Sequence, residues 1–195
     1  MSGATIATRY IDALAEVLRR AVVTRRDDSP LPLEAGIDWL RHTAAETHAA
    51  GNKIMFIGNG GSAAIASHMA NDYSKNGGLR ATAFNDSSAL TCLGNDFGYE
   101  HVFAKQIELH RRPGDLLIAI SSSGRSRNIL NAVDAAVSGG CRVATLSGFS
   151  PENPLRRMGD INFYLESAAY GFVEIGHLAL CHAVLDIHMG WTGAT

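Results

Sequence analysis

The residues best able to do chemistry fall in three places. His68 and Asp72 are four residues apart, so a helix puts both on one face. A late apolar stretch carries Glu174, His177, Cys181, His182 and His188. Carboxylate and imidazole are a natural acid–base pair near neutral pH, and together they also suit a metal ion. Bland roles compete: a solvated pair for His68 and Asp72, hydrogen-bonded core groups for His177 and His188. The third place is Ser121-Ser122-Ser123-Gly124-Arg125-Ser126, four hydroxyls in six residues. Hydroxyl donors at the start of a helix, where backbone amides are free and the dipole favours negative charge, suit a phosphate monoester. Arg125 or Arg127 would add charge.

The elements that must position these groups are readable from hydrophobic period. Short apolar runs predict strands at 53–58, 80–84, 115–122, 142–148 and 161–166, alternating with helices near 62–75, 87–93, 99–110, 126–139 and 171–189. The third and fourth runs are nearly continuous, as in parallel strands covered on both faces. Two further helices are predicted at 4–24 and 33–50, joined by a linker at 25–32. The fold class is α/β: a three-layer domain with a mostly parallel five-stranded sheet, preceded by two N-terminal helices. One domain spans 1–195, with a helical extension at 1–50 and the α/β core at 53–190.

Gly58-Asn59-Gly60-Gly61-Ser62 sits where the first strand becomes a helix, at the carboxyl end of the sheet where such folds bind ligands. Glycine lets the backbone approach a ligand closely, and Ser62 is a good helix cap. The spacing is neither the dinucleotide fingerprint nor the nucleotide phosphate loop, which argues against a nicotinamide cofactor and ATP.

Composition narrows the class. The chain has 195 residues, 46% of them hydrophobic, and no run of 18 apolar residues. A soluble cytoplasmic protein without a membrane span is the expectation, and the N-terminus reads as a helix rather than a secretion signal. Lys plus Arg number 17 against 19 Asp plus Glu, so nucleic acid is not an expected partner. Cys92, Cys141 and Cys181 form no CxxC pair.

GNGGSAAIASHMANDYSK, NDFGYEHVFAKQI, GDLLIAISSSGRSRNIL and the late EIGHLALCH together resemble the phosphosugar-binding SIS domain family along the whole chain, and within it the phosphoheptose isomerases. The resemblance implies an aldose–ketose isomerase that converts sedoheptulose 7-phosphate to D-glycero-D-manno-heptose 7-phosphate through a cis-enediol. It implies a phosphate held by Ser62, Ser121, Ser122, Ser123 and Ser126, with Asn59, Gly60 and Asp86 as further substrate contacts. It places the catalytic pair at Asp72 and His182, and zinc at His68, Asp72, Glu174 and His182. It also implies a homotetramer with sites between subunits.

Three departures matter. Asp72 stands where the family has Glu, Glu174 where it has Gln, and Gly171 where it has Asp. Glu174 and His182 are eight residues apart, about 12 Å along one helix, too far to share an ion unless Glu174 precedes the helix or comes from another subunit. The alternatives to an isomerase are a non-catalytic SIS protein that binds a protein partner, of the replication-initiator-associating type, or a phosphosugar sensor.

Overall fold

The computed structural model describes residues 5–193; positions 1–4 and 194–195, including the first residue of the helix predicted at 4–24, lie outside it. A single sheet of seven strands runs through these residues in the order β2-β1-β7-β6-β5-β3-β4. Strands β3 (Ile54–Gly58), β4 (Ala81–Ala83), β5 (Leu116–Ser121), β6 (Arg142–Gly148) and β7 (Ile161–Leu165) are the five read from the sequence, all parallel. Helices α3 (Gly61–Lys75), α4 (Ser87–Phe97), α5 (Val102–His110), α6 (Arg127–Ser138) and α7 (Tyr170–His188) lie between and after them.

The sheet corrects the expected five strands to seven. Helix α1 (Ile6–Arg19) stops short of residue 24, and the supposed linker is a hairpin of β1 (Val22–Arg25) and β2 (Pro30–Leu31). Val22, Val23 and Thr24 are β-branched and favour extended backbone. They pair antiparallel with β7, Val23 opposite Phe163. Pro30, which has no N–H to give a ladder, lies on the edge strand. Only α1 therefore precedes the sheet; α2 (Leu33–Ala49) follows its first two strands.

Alternation along each parallel strand feeds two cores. Ile54, Phe56, Leu116, Ile118, Ile120, Leu146 and Phe163 face one side, packed by α2, α3 and α7. Met55, Ile57, Leu117, Ala119 and Val143 face the other, with α5 and α6. Burial on both faces is why these runs are continuously apolar. Helix α7 has the length and apolarity to cross a membrane. Its Val173, Leu180, Cys181, Val184 and Leu185 are buried within the protein instead.

The sheet's order reverses between β3 and β5: β4 lies on one side of β3 and β5 on the other. Gly58 and Ile120 are in register at the carboxyl ends of these strands. A crevice forms where the two connections leave in opposite directions, and both glycine- and serine-rich loops open into it.

His177 is fully buried, with Nε2 3.1 Å from the Ser147 carbonyl of β6. Burial pushes its pKa down to about 4, so the ring is neutral and Nε2–H donates. On unfolding it regains the ordinary value, so its contribution is present above about pH 6.5 and is lost as pH falls toward 4. Gln at this position keeps a donor and cannot titrate. Between pH 6.5 and 5, urea titrations are expected to show His177→Gln losing about 2 kcal/mol less stability than the wild type. Parallel pH curves would contradict this.

Candidate active site

Helix α3 begins at the crevice. Its cap is Gly60, at φ 55°, with Gly61 and Ser62 as its first two residues; Ser62 is therefore not the cap expected of it. The first turn lies so close to β3 that a Cβ on Gly58 would come within 2.5 Å of the Ser62 backbone. Only glycine permits that approach.

Opposite it, the serine loop ends at α6, whose cap Ser126 makes no side-chain capping bond and so keeps a free hydroxyl. Ser121 Oγ accepts from the Gly124 amide at 3.2 Å, and Ser123 Oγ from the Arg125 amide at 3.3 Å. Ser122 Oγ is buried without a partner. A buried hydroxyl left unpaired is costly, so Ser122 retains an unused donor in the wall of the crevice.

The two loops enclose a cavity of about 250 Å³, with Asn59, Gly60, Ser62, Ser121, Ser122, Ser123 and Ser126 in its wall. Arg125 and Arg127 are exposed and do not line it. Asp86 is not part of it either. Its carboxylate caps α4 by accepting from Ala89 N at 2.9 Å, and it borders a separate cavity with Ser67, Asn71 and Asn85.

Asn59 does more than line the wall. Its amide and that of Asn128 exchange two hydrogen bonds of 2.9 Å, and Tyr99 donates to Asn59 Oδ1 at 3.0 Å. Asn128, 2% exposed at the second position of α6, was not apparent from sequence. Its partner is 69 residues away; the only signal was a polar residue on an otherwise apolar helix face. Asn153 was missed too. It is buried, donates to the Ser150 carbonyl at 2.8 Å, and packs its amide oxygen against Gly124 from beneath the serine loop.

A second group forms further along α3. His68 Nε2 is 3.4 Å from Asp72 Oδ2, and the His68 and His182 rings are 5.4 Å apart between centroids. One ligand atom from each of His68, Asp72 and His182 lies within 4.8 Å of the others. Two imidazoles and a carboxylate leave an open position on a tetrahedral ion, the pattern of a catalytic metal site, so the cluster could hold a metal. The register of α3 against α7 is set next door, where the buried Tyr73 hydroxyl donates to the Cys181 carbonyl at 3.2 Å.

Glu174 stands apart from this cluster. It lies inside α7, not in a preceding loop, and its carboxylate rests on Gly61 in the serine-lined cavity. Eight residues of continuous helix, about 12 Å, separate it from His182. Gly171 is also inside α7, and a Cβ there would meet the Tyr10 hydroxyl at 3.1 Å. Cys141 and Cys181 are buried, and burial pushes their thiols up to about 11 and about 12. Neither is a ready thiolate.

Residues 9–148 match the SIS domain family. The phosphoheptose isomerase of Akkermansia muciniphila is 36% identical over 89% of this chain and 96% of its own length. That of an Enterobacter strain is 34% identical over 91% of this chain and 96% of its own. The structure of phosphoheptose isomerase from Neisseria gonorrhoeae superposes with a TM-score of 0.76 at 30% identity, covering 94% of this chain and 99% of that one. The Francisella tularensis enzyme gives 0.80 at 25% identity, covering 93% and 95%. The chain belongs to the SIS domain family, in the branch that holds the phosphoheptose isomerases.

Proposed function

We propose that this protein is a phosphoheptose isomerase, interconverting sedoheptulose 7-phosphate and D-glycero-D-manno-heptose 7-phosphate. The observation that carries the reading is the hydroxyl-lined cavity between the starts of α3 and α6, with the Ser122 hydroxyl buried and unpaired. The five serines donate to the phosphate, and the two helix starts favour its charge. Anchoring the far end of the sugar spends remote binding energy on orienting C1 and C2.

Asp72 takes the C1 proton of the ketose and returns it to C2. His182 protonates the C2 oxygen and accepts the O1 proton, so a cis-enediol forms and collapses with no net gain or loss. The carboxylate works on one side of the substrate, and an imidazole can both donate and accept a proton. Asp has one methylene less than Glu, so the substrate sits closer to α3 than a longer arm would require. His68, Asp72 and His182 are also the side chains that would hold zinc, which would polarise the sugar carbonyl.

We place the enzyme in the cytoplasm, as one domain acting on a small phosphorylated sugar rather than on nucleic acid or a membrane. The even charge balance and the single sheet running from Val22 to Leu165 support this. The assembly is a homotetramer in which one subunit's cavity meets another's acid–base cluster. Support comes from α1, which exposes Ile6 at 79%, Tyr10 at 48% and Ile11 at 64%, and from the helix length between Glu174 and His182.

Three outcomes are expected. Asp72→Asn abolishes conversion of sedoheptulose 7-phosphate yet binds it almost normally by calorimetry, and His182→Gln lowers kcat by roughly 10² to 10⁴; full turnover by both variants sinks the assignment. Elemental analysis finds about one zinc per chain, and chelation removes activity that zinc restores; undiminished activity without metal argues for a metal-free site. Co-expressed Asp72→Asn and Ser122→Asp chains, each inactive alone, recover about a quarter of wild-type activity in mixed tetramers. No recovery would place each site within one chain.

A further inference from the structure

Tyr99 is 62% exposed, yet its hydroxyl is committed: it donates to Asn59 Oδ1 at 3.0 Å. The residue opens a short turn, Tyr99–His101, entered through Gly98 at φ 85°. That turn is fastened to α6, where Asn131 donates to the Glu100 carbonyl at 2.8 Å. Asn131 lies one helical turn beyond Asn128, the residue that pairs with Asn59. One face of α6 therefore fixes both the phenol and the amide it touches.

Asn59 borders two cavities. In one its neighbours are the serines. The other, of about 300 Å³, is walled by Tyr99, Leu90, Phe103 and Ala63. The reciprocal pair with Asn128 uses one N–H of Asn59 and one acceptor position on its oxygen. What remains is a second acceptor position on one flank of the amide and a second N–H on the other. Tyr99 takes the acceptor position. The second N–H has no partner among the described residues.

The amide pair by itself does not choose a direction, since with both amides turned over it makes the same two bonds. Turned over, Asn59 would show the serine side an oxygen, which only accepts and repels a phosphoryl oxygen. A phenol oxygen shares its lone pair with the ring, so its hydroxyl gives a hydrogen bond more readily than it takes one. Tyr99 therefore keeps the Asn59 oxygen on its own flank and leaves the free N–H to the serine side.

Resting on the reading of the serine-lined cavity as the phosphosugar site, we infer that Tyr99 is a positioning residue: it orients the Asn59 amide so that the free N–H donates to an oxygen of the bound phosphosugar. Tyr99 acts through Asn59 and not by touching the ligand.

The test is a double-mutant cycle on sedoheptulose 7-phosphate affinity, measured by calorimetry in the full chain carrying Asp72→Asn, with folding checked by circular dichroism. Tyr99→Phe, which keeps the ring and removes the hydroxyl, is expected to weaken binding about three- to tenfold, the scale of one hydrogen bond. Asn59→Ala is expected to weaken it at least as much, and Tyr99→Phe to cost nothing further once Asn59 is gone. With Asp72 intact, Tyr99→Phe is expected to raise KM by the same factor and to lower kcat by less than about twofold. Unchanged affinity in Tyr99→Phe, or a loss that adds in full to that of Asn59→Ala, overturns the inference and leaves the phosphosugar site standing. Asp72→Asn that binds no sedoheptulose 7-phosphate, or binds it equally well with Ser122→Ala added, overturns the reading of the cavity and this inference with it.

Discussion

The reciprocal amide pair between Asn59 and Asn128 is the contact on which the site depends. Asn59 leaves the end of β3 and Asn128 opens α6, so their two hydrogen bonds hold the glycine loop and the serine loop at one separation. The sheet brings the loops near each other because its strand order reverses there, but a crevice between diverging connections has no fixed width of its own. An amide pair has donors and acceptors in matched positions and tolerates little sliding. The Asn153 side chain occupies the space that a Cβ on Gly124 of the serine loop would fill. With the backbone so held, the hydroxyls are aimed before a ligand arrives, which reduces the ordering cost of binding.

Helix α3 contributes to both the cavity and the acid–base cluster. It begins in the cavity at Gly61 and Ser62 and, two to three turns on, presents His68 and Asp72 to α7. Tyr73 seals the contact through the Cys181 carbonyl, one residue beyond Asp72 on α3 and one before His182 on α7. A polar anchor inside an apolar interface fixes rotation as well as distance, because a slip by one residue would leave a buried hydroxyl unpaired. The acid–base pair is thus set by core packing, not by its own weak 3.4 Å contact on a partly exposed surface.

Much of this was legible in the chain, and what was hidden has a common cause. The five parallel strands showed because burial on both faces leaves continuous apolar runs. The serine loop showed because hydroxyl-rich segments after such strands are chemically distinctive. The hairpin of β1 and β2 did not: four residues after a helix carry too little pattern, and their partner β7 is some 140 positions away. Asn128 and Asn153 were silent for the same reason, since each acts through a residue or loop distant in sequence. The separation of Glu174 from His182 was readable from helical rise alone, but its seat on Gly61 required the fold.

In the proposed reading the cavity anchors phosphate and the His/Asp cluster transfers protons, and both serve one reaction: moving hydrogen between adjacent carbons of a phosphorylated sugar. The most direct measurement is NMR of sedoheptulose 7-phosphate turned over by the wild-type protein in heavy water. The account predicts an aldose 7-phosphate with deuterium at C2, because the carbon-bound proton passes through an exchangeable group on the protein. No conversion, or deuterium entering C2 equally fast with Asp72→Asn, would contradict it.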